Sequence, residues 1–239
     1  MIKVFSDINE LSQFAANLFV EISSQSIANR GRFLVALSGG NTPMQLYSLL
    51  GDSFHDQVDW THTHFFWGDE RCVPVDDAGN SYGLTKKALF EKTTIPDENI
   101  HRVSSELEPD SAAIEYARTL KDFAEPPLDW PRFDLVLLGM GDDGHTASLF
   151  PGSPVEVDSP TLSVTANYQG RPANRITLTP KVLNSGRNIV FLVTGKSKAE
   201  TLSRVLSDLY IPKELPAQRI APKDGNLDWL IDQEAGSLL

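Results

Sequence analysis

Four short apolar runs along the chain predict the strands of a buried β-sheet. They lie at residues 33–37, 64–67, 135–138 and 189–193, and each is almost entirely apolar. Such runs are typical of strands covered on both faces, as in a parallel sheet. Residues 8–22 place apolar side chains at helical spacing behind Asp7, a good N-cap. The alternation of helices and strands predicts an α/β fold with a single domain over residues 1–239, a mostly parallel, doubly wound sheet flanked by helices with Rossmann-like topology.

An unusual polar loop follows each of these four runs. The loops are Ser38-Gly39-Gly40, Asp69-Glu70-Arg71, Asp142-Asp143-Gly144-His145 and Thr194-Gly195-Lys196. In a parallel sheet the carboxyl ends of the strands lie at one edge, where α/β proteins build their binding sites. We therefore expect the four loops to converge on one site.

The first loop has the composition of an anion-binding turn. Gly39 and Gly40 let backbone N–H groups approach an anion closely, and Thr42-Pro43 predicts that a helix begins directly afterwards. The side chains of Ser38 and Thr42 add hydroxyl donors. The alternative is a plain tight turn in which Thr42 only caps the helix.

Three cations near the strand ends are candidates for binding a phosphate or a carboxylate. The guanidinium of Arg71 can bind such a group through two parallel hydrogen bonds, or it can form a salt bridge with one of the two acids before it. Lys196 lies at a predicted helix start, where a lysine is unfavourable unless an anion is bound, and Lys198 is an example of a merely solvated lysine. Arg175 either reaches the same site or is an exposed strand residue.

Asp143 and His145 are the candidate catalytic pair. A carboxylate two residues from a histidine can orient the imidazole, and the imidazole can then activate water as a general base. The alternative is a helix-capping aspartate beside a surface histidine. The same loop matches G-x-G-x-x-G, but the prolines that follow it prevent the long helix of a dinucleotide site. We expect the neighbouring Asp142 to point elsewhere, into solvent.

Composition and charge exclude several classes of function. The formal net charge of −11 argues against nucleic-acid binding through a broad basic face, but a small anionic ligand remains compatible with it. The single cysteine, Cys72, cannot form an internal disulfide, as is usual in a reducing compartment. No apolar run approaches the roughly 18 residues of a membrane span, and the N-terminus does not resemble a signal peptide.

His62 and His64 share one strand face without a third ligand, so we predict no metal site. We expect a cytoplasmic protein that binds neither nucleic acid nor membrane.

Four segments carry a family resemblance. They are residues 37–43 (LSGGNTP), 67–74 (WGDERCVP), 138–151 (LGMGDDGHTASLFP) and 175–179 (RITLT), and Gly195-Lys196 fits as well. In this order, and over about residues 5 to 230, the chain resembles the 6-phosphogluconolactonase family of the glucosamine-6-phosphate isomerase/6-phosphogluconolactonase superfamily. The GHTASLFP string is the most specific part of the match.

The resemblance implies hydrolysis of 6-phospho-D-glucono-1,5-lactone to 6-phospho-D-gluconate, the second step of the oxidative pentose phosphate pathway, without a cofactor. It implies that His145 draws a proton from the attacking water and that Asp143 orients His145. It also implies a set of residues that bind the 6-phosphate and the sugar hydroxyls. These residues are Ser38, Gly39, Gly40, Thr42, Asp69, Arg71, Arg175 and Lys196. The expected partner is this small sugar-phosphate lactone, and we expect the protein to be a monomer.

One departure and two alternatives accompany the resemblance. The family often has Ser-Asn-Tyr where this chain has Asn80-Ser81-Tyr82, which alters any hydrogen bond from the asparagine amide. The first alternative is glucosamine-6-phosphate deaminase/isomerase, in which a glutamate at the position of Phe150 assists ring opening and a base occupies the position of Asp69. Phenylalanine cannot ionise, so that proton relay is broken here. The second alternative is a non-catalytic sugar-phosphate sensor, but the chain has no spare basic segment for the DNA-binding domain that such regulators normally add.

Overall fold

The computed structural model describes residues 1–154 and 156–239. The strands of the described chain are β1 (Ile2–Phe5), β2 (Phe33–Leu37), β3 (Thr63–Trp67), β4 (Asp69–Arg71), β5 (Leu135–Leu138), β6 (Thr161–Thr165), β7 (Asn174–Leu178), β8 (Asn188–Val193) and β9 (Asn226–Asp232). The α-helices are α1 (Ile8–Arg30), α2 (Asn41–Asp52), α3 (Ser81–Ala88), α4 (Pro109–Lys121), α5 (Pro180–Leu183) and α6 (Ala199–Val205).

The main sheet has six strands in the order β1-β9-β8-β5-β2-β3, and each neighbouring pair is parallel. Successive side chains of β2 enter different cores: Leu34 and Ala36 pack into one apolar cluster, while Phe33, Val35 and Leu37 pack into the other. This is the alternation that a strand covered on both faces requires. The prediction of a mostly parallel sheet flanked by helices is confirmed.

A second, smaller sheet stands beside the first and was not predicted. It has the order β4-β7-β6, and both of its pairings are antiparallel. Gly68 joins the two sheets, because its N–H donates to the carbonyl of Leu37 at 2.8 Å and its carbonyl accepts from the N–H of Leu178 at 2.8 Å. The Asp69-Glu70-Arg71 segment is therefore a short strand and not the loop that the sequence indicated.

Three further elements were not predicted from the sequence. The C-terminal strand β9 lies within the main sheet between β1 and β8. The ring of Trp229 stacks on Phe191 across that pairing, with centroids 3.8 Å apart. Strand β1 and helix α4 were also missed.

The start of helix α2 differs from the expectation for Thr42. The N-cap is Gly40, with a φ of +106°, and no side chain caps the helix. The hydroxyl of Thr42 instead lies 2.8 Å from that of Thr194, at the end of β8. The expectation that Thr42 caps the helix is thus wrong. None of the helices in the described ranges combines the length and the hydropathy needed to cross a membrane.

Candidate functional site

A cleft lies at the carboxyl edge of the main sheet, and all four predicted loops line it. Gly39, Asp69, His145 and Thr194 each represent one of these loops in the cleft wall. Their convergence follows from the topology, because parallel strands bring their carboxyl ends to one edge. The small antiparallel sheet adds Arg175 to the same wall.

His145 and Asp143 form a hydrogen-bonded pair in this cleft. The Nδ1 atom of His145 lies 2.6 Å from Oδ1 of Asp143, which also accepts the backbone N–H of His145 at 3.1 Å. Burial raises the pKa of Asp143, but the hydrogen bond and charge of His145 outweigh it, so the net pKa lies below its ordinary value. An ionised carboxylate only accepts hydrogen bonds, so it assigns the proton to Nδ1 and leaves Nε2 with a lone pair.

Two glycines allow the loop to fold around this pair. A Cβ on Gly141 would lie 2.1 Å from Nδ1 of His145 and 2.6 Å from Oδ1 of Asp143, so no side chain fits there. Gly144 has a φ of +82°, a conformation that L side chains rarely adopt. Two glycines of the G-x-G-x-x-G match therefore shape the loop of a histidine: Gly141 allows close packing against the imidazole, and Gly144 allows a positive φ.

Arg71 and Arg175 face each other in the wall of the cleft. They are direct partners across the antiparallel strands β4 and β7, and both are buried. Arg71 donates through Nη1 to the carbonyl of Gly79 at 2.7 Å, and Arg175 donates through Nε to that of Pro172 at 3.1 Å. Within the described residues, Nε of Arg71 and Nη2 of Arg175 have no partner, and the alternative of a salt bridge from Arg71 to its acidic neighbours is not formed.

Neither arginine of this pair forms a salt bridge within the part of the chain that the structure describes. Burial lowers the pKa of Arg175, the charge of Asp69 opposes that effect, and the charge of Arg71 adds to it. Like charges directly opposite each other across strands are destabilising. The arrangement therefore favours an anion with oxygens that accept from both guanidinium groups.

Glu70 accepts hydrogen bonds from the backbone of Arg71 and from the first residues of helix α3. Its carboxylate accepts the backbone N–H groups of Arg71 and Ser81 at 2.8 Å and of Tyr82 at 2.7 Å. Burial raises the pKa of Glu70 despite these bonds and the charge of Arg71. Sequence reasoning missed this role, because it depends on contacts across 11 residues of chain.

The Asn80-Ser81 departure places an amide at the helix cap and a hydroxyl beside the Gly39-Gly40 turn. Asn80 caps α3 by accepting the N–H of Gly83 at 2.8 Å. The Oγ atom of Ser81 is buried and has no partner among the described residues. A Cβ on Gly39 would lie 2.3 Å from this oxygen and 3.6 Å from Nη1 of Arg71. The glycine turn, the serine and the arginine are therefore in close contact.

The lysine in the cleft is Lys198, not Lys196. Residues Lys196–Lys198 form a 3₁₀ turn, in which Lys196 is exposed and Lys198 is partly buried and lines the cleft. Burial lowers the pKa of Lys198, against the opposing charges of Asp142 and Asp143. The backbone N–H of Lys196 donates towards Glu234, at 3.3 Å, on the outside of the site.

The remaining predicted residues also lie in the cleft wall. Asp69 is buried, and its Oδ2 accepts from the hydroxyl of Ser148 at 2.7 Å. The backbone of Ser38 is fixed by the hydroxyl of Tyr47, which accepts its N–H at 3.0 Å and donates to its carbonyl at 2.9 Å. Burial raises the pKa of this tyrosine, so its hydroxyl remains protonated.

The segment between β6 and β7 adds cleft residues that the sequence did not single out, Tyr168, Gln169 and Arg171. No local pattern pointed to this segment. No group of three or more potential metal ligands occurs among the described residues. His62 and His64 have different partners, since His62 lies 2.8 Å from Asp59 and His64 lies 3.2 Å from His101.

The fold and the cleft define a class of protein, namely an α/β protein whose cleft combines a buried pair of arginines with a histidine that is hydrogen-bonded to a carboxylate. A family model described as glucosamine-6-phosphate isomerases/6-phosphogluconolactonase matches residues 6–229. The chain belongs to this family, as its resemblance indicated.

Individual relatives agree with this assignment. A 6-phosphogluconolactonase of Synechocystis is 40% identical, over 90% of this chain and 88% of its own. The solved structure of the 6-phosphogluconolactonase from Trypanosoma brucei has 29% identity and a TM-score of 0.86, over 100% of this chain and 98% of its own. A monomeric glucosamine-6-phosphate deaminase has 22% identity and a TM-score of 0.85, over 100% of this chain and 99% of its own, and thus shares the fold.

Proposed function

We propose that this protein hydrolyses 6-phospho-D-glucono-1,5-lactone to 6-phospho-D-gluconate, as in the oxidative pentose phosphate pathway. The observation that carries the proposal is the pairing of His145 with Asp143, which leaves Nε2 of the imidazole available beside a cluster of buried cations. The names of the similar enzymes from Synechocystis and Trypanosoma brucei support the choice of substrate.

The proposed reaction uses His145 as a general base and then as a general acid. Its Nε2 accepts a proton from a water molecule while the water oxygen attacks the C1 carbonyl, which gives a tetrahedral intermediate. The bond between C1 and the ring oxygen then breaks, and the imidazolium returns the proton to that oxygen. Asp143 keeps the proton on Nδ1 and stabilises the imidazolium during the transfer.

The cations of the cleft are assigned to the substrate phosphate. Arg71 and Arg175 present guanidinium groups, each with a nitrogen that has no partner among residues 1–154 and 156–239, and Lys198 adds a half-buried ammonium group. The Gly39-Gly40 turn offers backbone N–H groups at the start of α2. Hydroxyl and carboxylate groups at Ser38, Thr42 and Asp69 are suited to the hydroxyls of the sugar. The exposed Lys196, which the resemblance implied, is the rival candidate to Lys198.

Deamination of glucosamine 6-phosphate is the second candidate, because Asp69 places a buried carboxylate in the cleft wall. The ring of Phe150 packs on the imidazole of His145, with centroids 4.5 Å apart. In the deaminase pattern this position carries a glutamate that assists ring opening. A phenyl ring offers no such group, which favours the lactonase.

The deciding experiment measures both reactions on one preparation. Hydrolysis of freshly generated 6-phosphogluconolactone, corrected for the spontaneous rate, is compared with ammonia release from glucosamine 6-phosphate. We expect acceleration of the first reaction alone, and its loss in a His145→Gln variant that still binds 6-phosphogluconate. Ammonia release would transfer the proposal to the deaminase, and the absence of both activities would favour a non-catalytic sensor.

We further propose that the enzyme acts as a cytoplasmic monomer over one domain, residues 1–239. The similar deaminase is described as monomeric, and a single cysteine suits a reducing compartment. Light scattering during size-exclusion chromatography tests the oligomeric state, and a monomer has an expected mass of 26.4 kDa.

A further inference from the structure

The hairpin between β6 and β7 lies against the candidate catalytic loop. Its base is closed by the N–H of Ala166, which donates to the carbonyl of Ala173 at 3.0 Å. At its tip, Gln169 and Gly170 have φ values of +49° and +66°, so the chain reverses direction sharply there. The tip brings Tyr168 into the cleft wall beside His145.

Asp142 ties this hairpin to the catalytic loop. One of its carboxylate oxygens accepts from the hydroxyl of Tyr168, and the other accepts from Nε2 of Gln169 at 2.8 Å. The carbonyl of Asp142 accepts from the hydroxyl of Thr201 at 2.6 Å. The expectation that Asp142 points into solvent is therefore wrong. Its carboxylate joins two segments that lie 26 residues apart in the chain.

The ring of Tyr168 contacts the imidazole of His145 directly. The two centroids are 4.6 Å apart and the planes meet at 78°, an edge-to-face arrangement. Phe150 packs on the same imidazole. The bond to Asp143 fixes one nitrogen, but a single hydrogen bond leaves the tilt of the ring free. The two aromatic contacts restrict that tilt, and only 13% of the His145 side chain is exposed.

We propose that Tyr168 is a positioning residue for His145 and that Asp142 holds it in place. The ring of Tyr168 sets the direction of the Nε2 lone pair and keeps bulk water from one side of the imidazole. Burial and the contact with Asp142 raise the pKa of Tyr168 to about 12, so its hydroxyl remains a donor at neutral pH. The inference rests on the proposed function, since it concerns the base of that reaction.

The first test replaces Tyr168 by leucine, with Tyr210→Leu as the matched control because the side chain of Tyr210 is largely exposed. We expect kcat of Tyr168→Leu to fall about tenfold, since edge-to-face contacts and base alignment are both lost. We also expect KM to change little, so that the loss falls on kcat, because the ring contacts the imidazole and is not assigned to the phosphate. A purely structural role would lower stability and leave kcat of the folded protein unchanged.

The second test is a double-mutant cycle between Tyr168→Phe and Asp142→Ala. Phenylalanine retains the ring contact, so this variant is expected to keep most of the kcat that leucine loses. If the hydroxyl acts through Asp142, the double variant will be no slower than the slower single variant. This cycle still tests the contact between Tyr168 and Asp142 if the Tyr168→Leu variant does not fold.

The outcomes separate this inference from the proposed function. Parent and Tyr210→Leu proteins that both fail to hydrolyse the lactone would overturn both proposals. An active parent together with a Tyr168→Leu variant of unchanged kcat would overturn the positioning role alone. Independent, additive effects of the two substitutions on kcat would show that Asp142 does not act through Tyr168.

Discussion

Arg71 and Arg175 stand directly opposite each other across β4 and β7, although 104 residues separate them in the chain. Both side chains are buried, and each has a guanidinium nitrogen without a partner among the described residues. Without a ligand, this pairing costs stability through like-charge repulsion and unsatisfied donors. A phosphate would offset both costs, which makes the pair the most specific sign of the ligand's charge.

We predict that Arg175→Met weakens binding of 6-phosphogluconate about ten- to a hundredfold, because hydrogen bonds to charged groups contribute about 1.5–3 kcal/mol. The ligand-dependent rise in Tm should shrink accordingly, and the Tm of the unliganded protein should change little, because the repulsion with Arg71 is removed as well. Arg204→Met is the control, since that arginine is about half exposed and pairs only loosely with Glu214 at 3.6 Å. Equal ligand-induced shifts in parent and Arg175→Met proteins would contradict the assignment.

The two lysines after β8 provide a matched comparison. We predict that Lys198→Met raises KM for the lactone about tenfold, because a charge-assisted bond to the phosphate is lost. The same substitution at Lys196, two residues away, should leave KM within about twofold of the parent, because that side chain is exposed outside the cleft. Steady-state kinetics of both variants decide the matter, and the reverse order would restore Lys196 as the phosphate ligand.

The fold could be predicted from sequence where a strand is a continuous apolar run. Strands β2, β5 and β8 are buried along almost their entire length, so their sequences are continuous apolar runs. Strand β9 was missed because it begins with exposed and partly buried residues, Asn226, Leu227 and Asp228, within a tail of turns. Edge strand β1 was missed because it is short and exposes Ile2 and Val4, so its sequence is not a continuous buried apolar run.

The convergence of the four loops could be predicted from the parallel sheet, but contacts between residues of the candidate site could be predicted only where those residues are close in sequence. Asp143 and His145 are two residues apart, and the glycine turn is continuous, so local pattern sufficed for both. The pairing of Arg71 with Arg175 depends on the antiparallel sheet, which no local pattern indicated. Lys198 was passed over because the expected helix start is a 3₁₀ turn that exposes Lys196 instead.

Asp143→Asn should separate catalysis from binding. An asparagine amide can donate to Nδ1, which would place the imidazole proton on Nε2 and leave no lone pair facing the water. We predict that kcat falls about 10²- to 10⁴-fold while the affinity for 6-phosphogluconate changes little. Kinetics and calorimetric titration measure the two effects. A variant with parental kcat would exclude Asp143 as the group that orients His145.

Gly141→Ala should displace the same pair without removing either side chain. The new methyl group would lie 2.1 Å from Nδ1 of His145, so the imidazole or the loop has to move. We predict a loss of about 10² in kcat, as expected for a reacting group that is misplaced by about 1 Å. The control is Gly139→Ala in the same loop, where the nearest atom to a new Cβ is Oγ of Ser38 at 3.9 Å. Similar kcat values in the two variants would show that the close approach at Gly141 has no catalytic consequence.

His64 and His101 give the protein a pH-dependent stability that is separate from the cleft. Burial and the neighbouring His64 lower the pKa of His101 from 6.5 to about 4, and burial and the charge of Arg32 lower that of His64. Between pH 6.5 and about 4 the unfolded chain therefore binds more protons than the folded one. The stabilisation is present above pH 6.5 and is lost as the pH falls through this window.

We predict that the free energy of unfolding of the parent drops by about 1 kcal/mol more than that of His101→Phe between pH 7 and pH 5, a modest figure because solvent screens a partly buried ring. Phenylalanine suits the site, since the imidazole packs between Phe66 and Phe123 with centroids 4.5 Å from each. Urea unfolding at both pH values measures the difference, with His55→Phe as the control for a half-exposed histidine. Parallel pH dependence in parent and His101→Phe proteins would mean that this imidazole is protonated as easily in the folded chain as in the unfolded one.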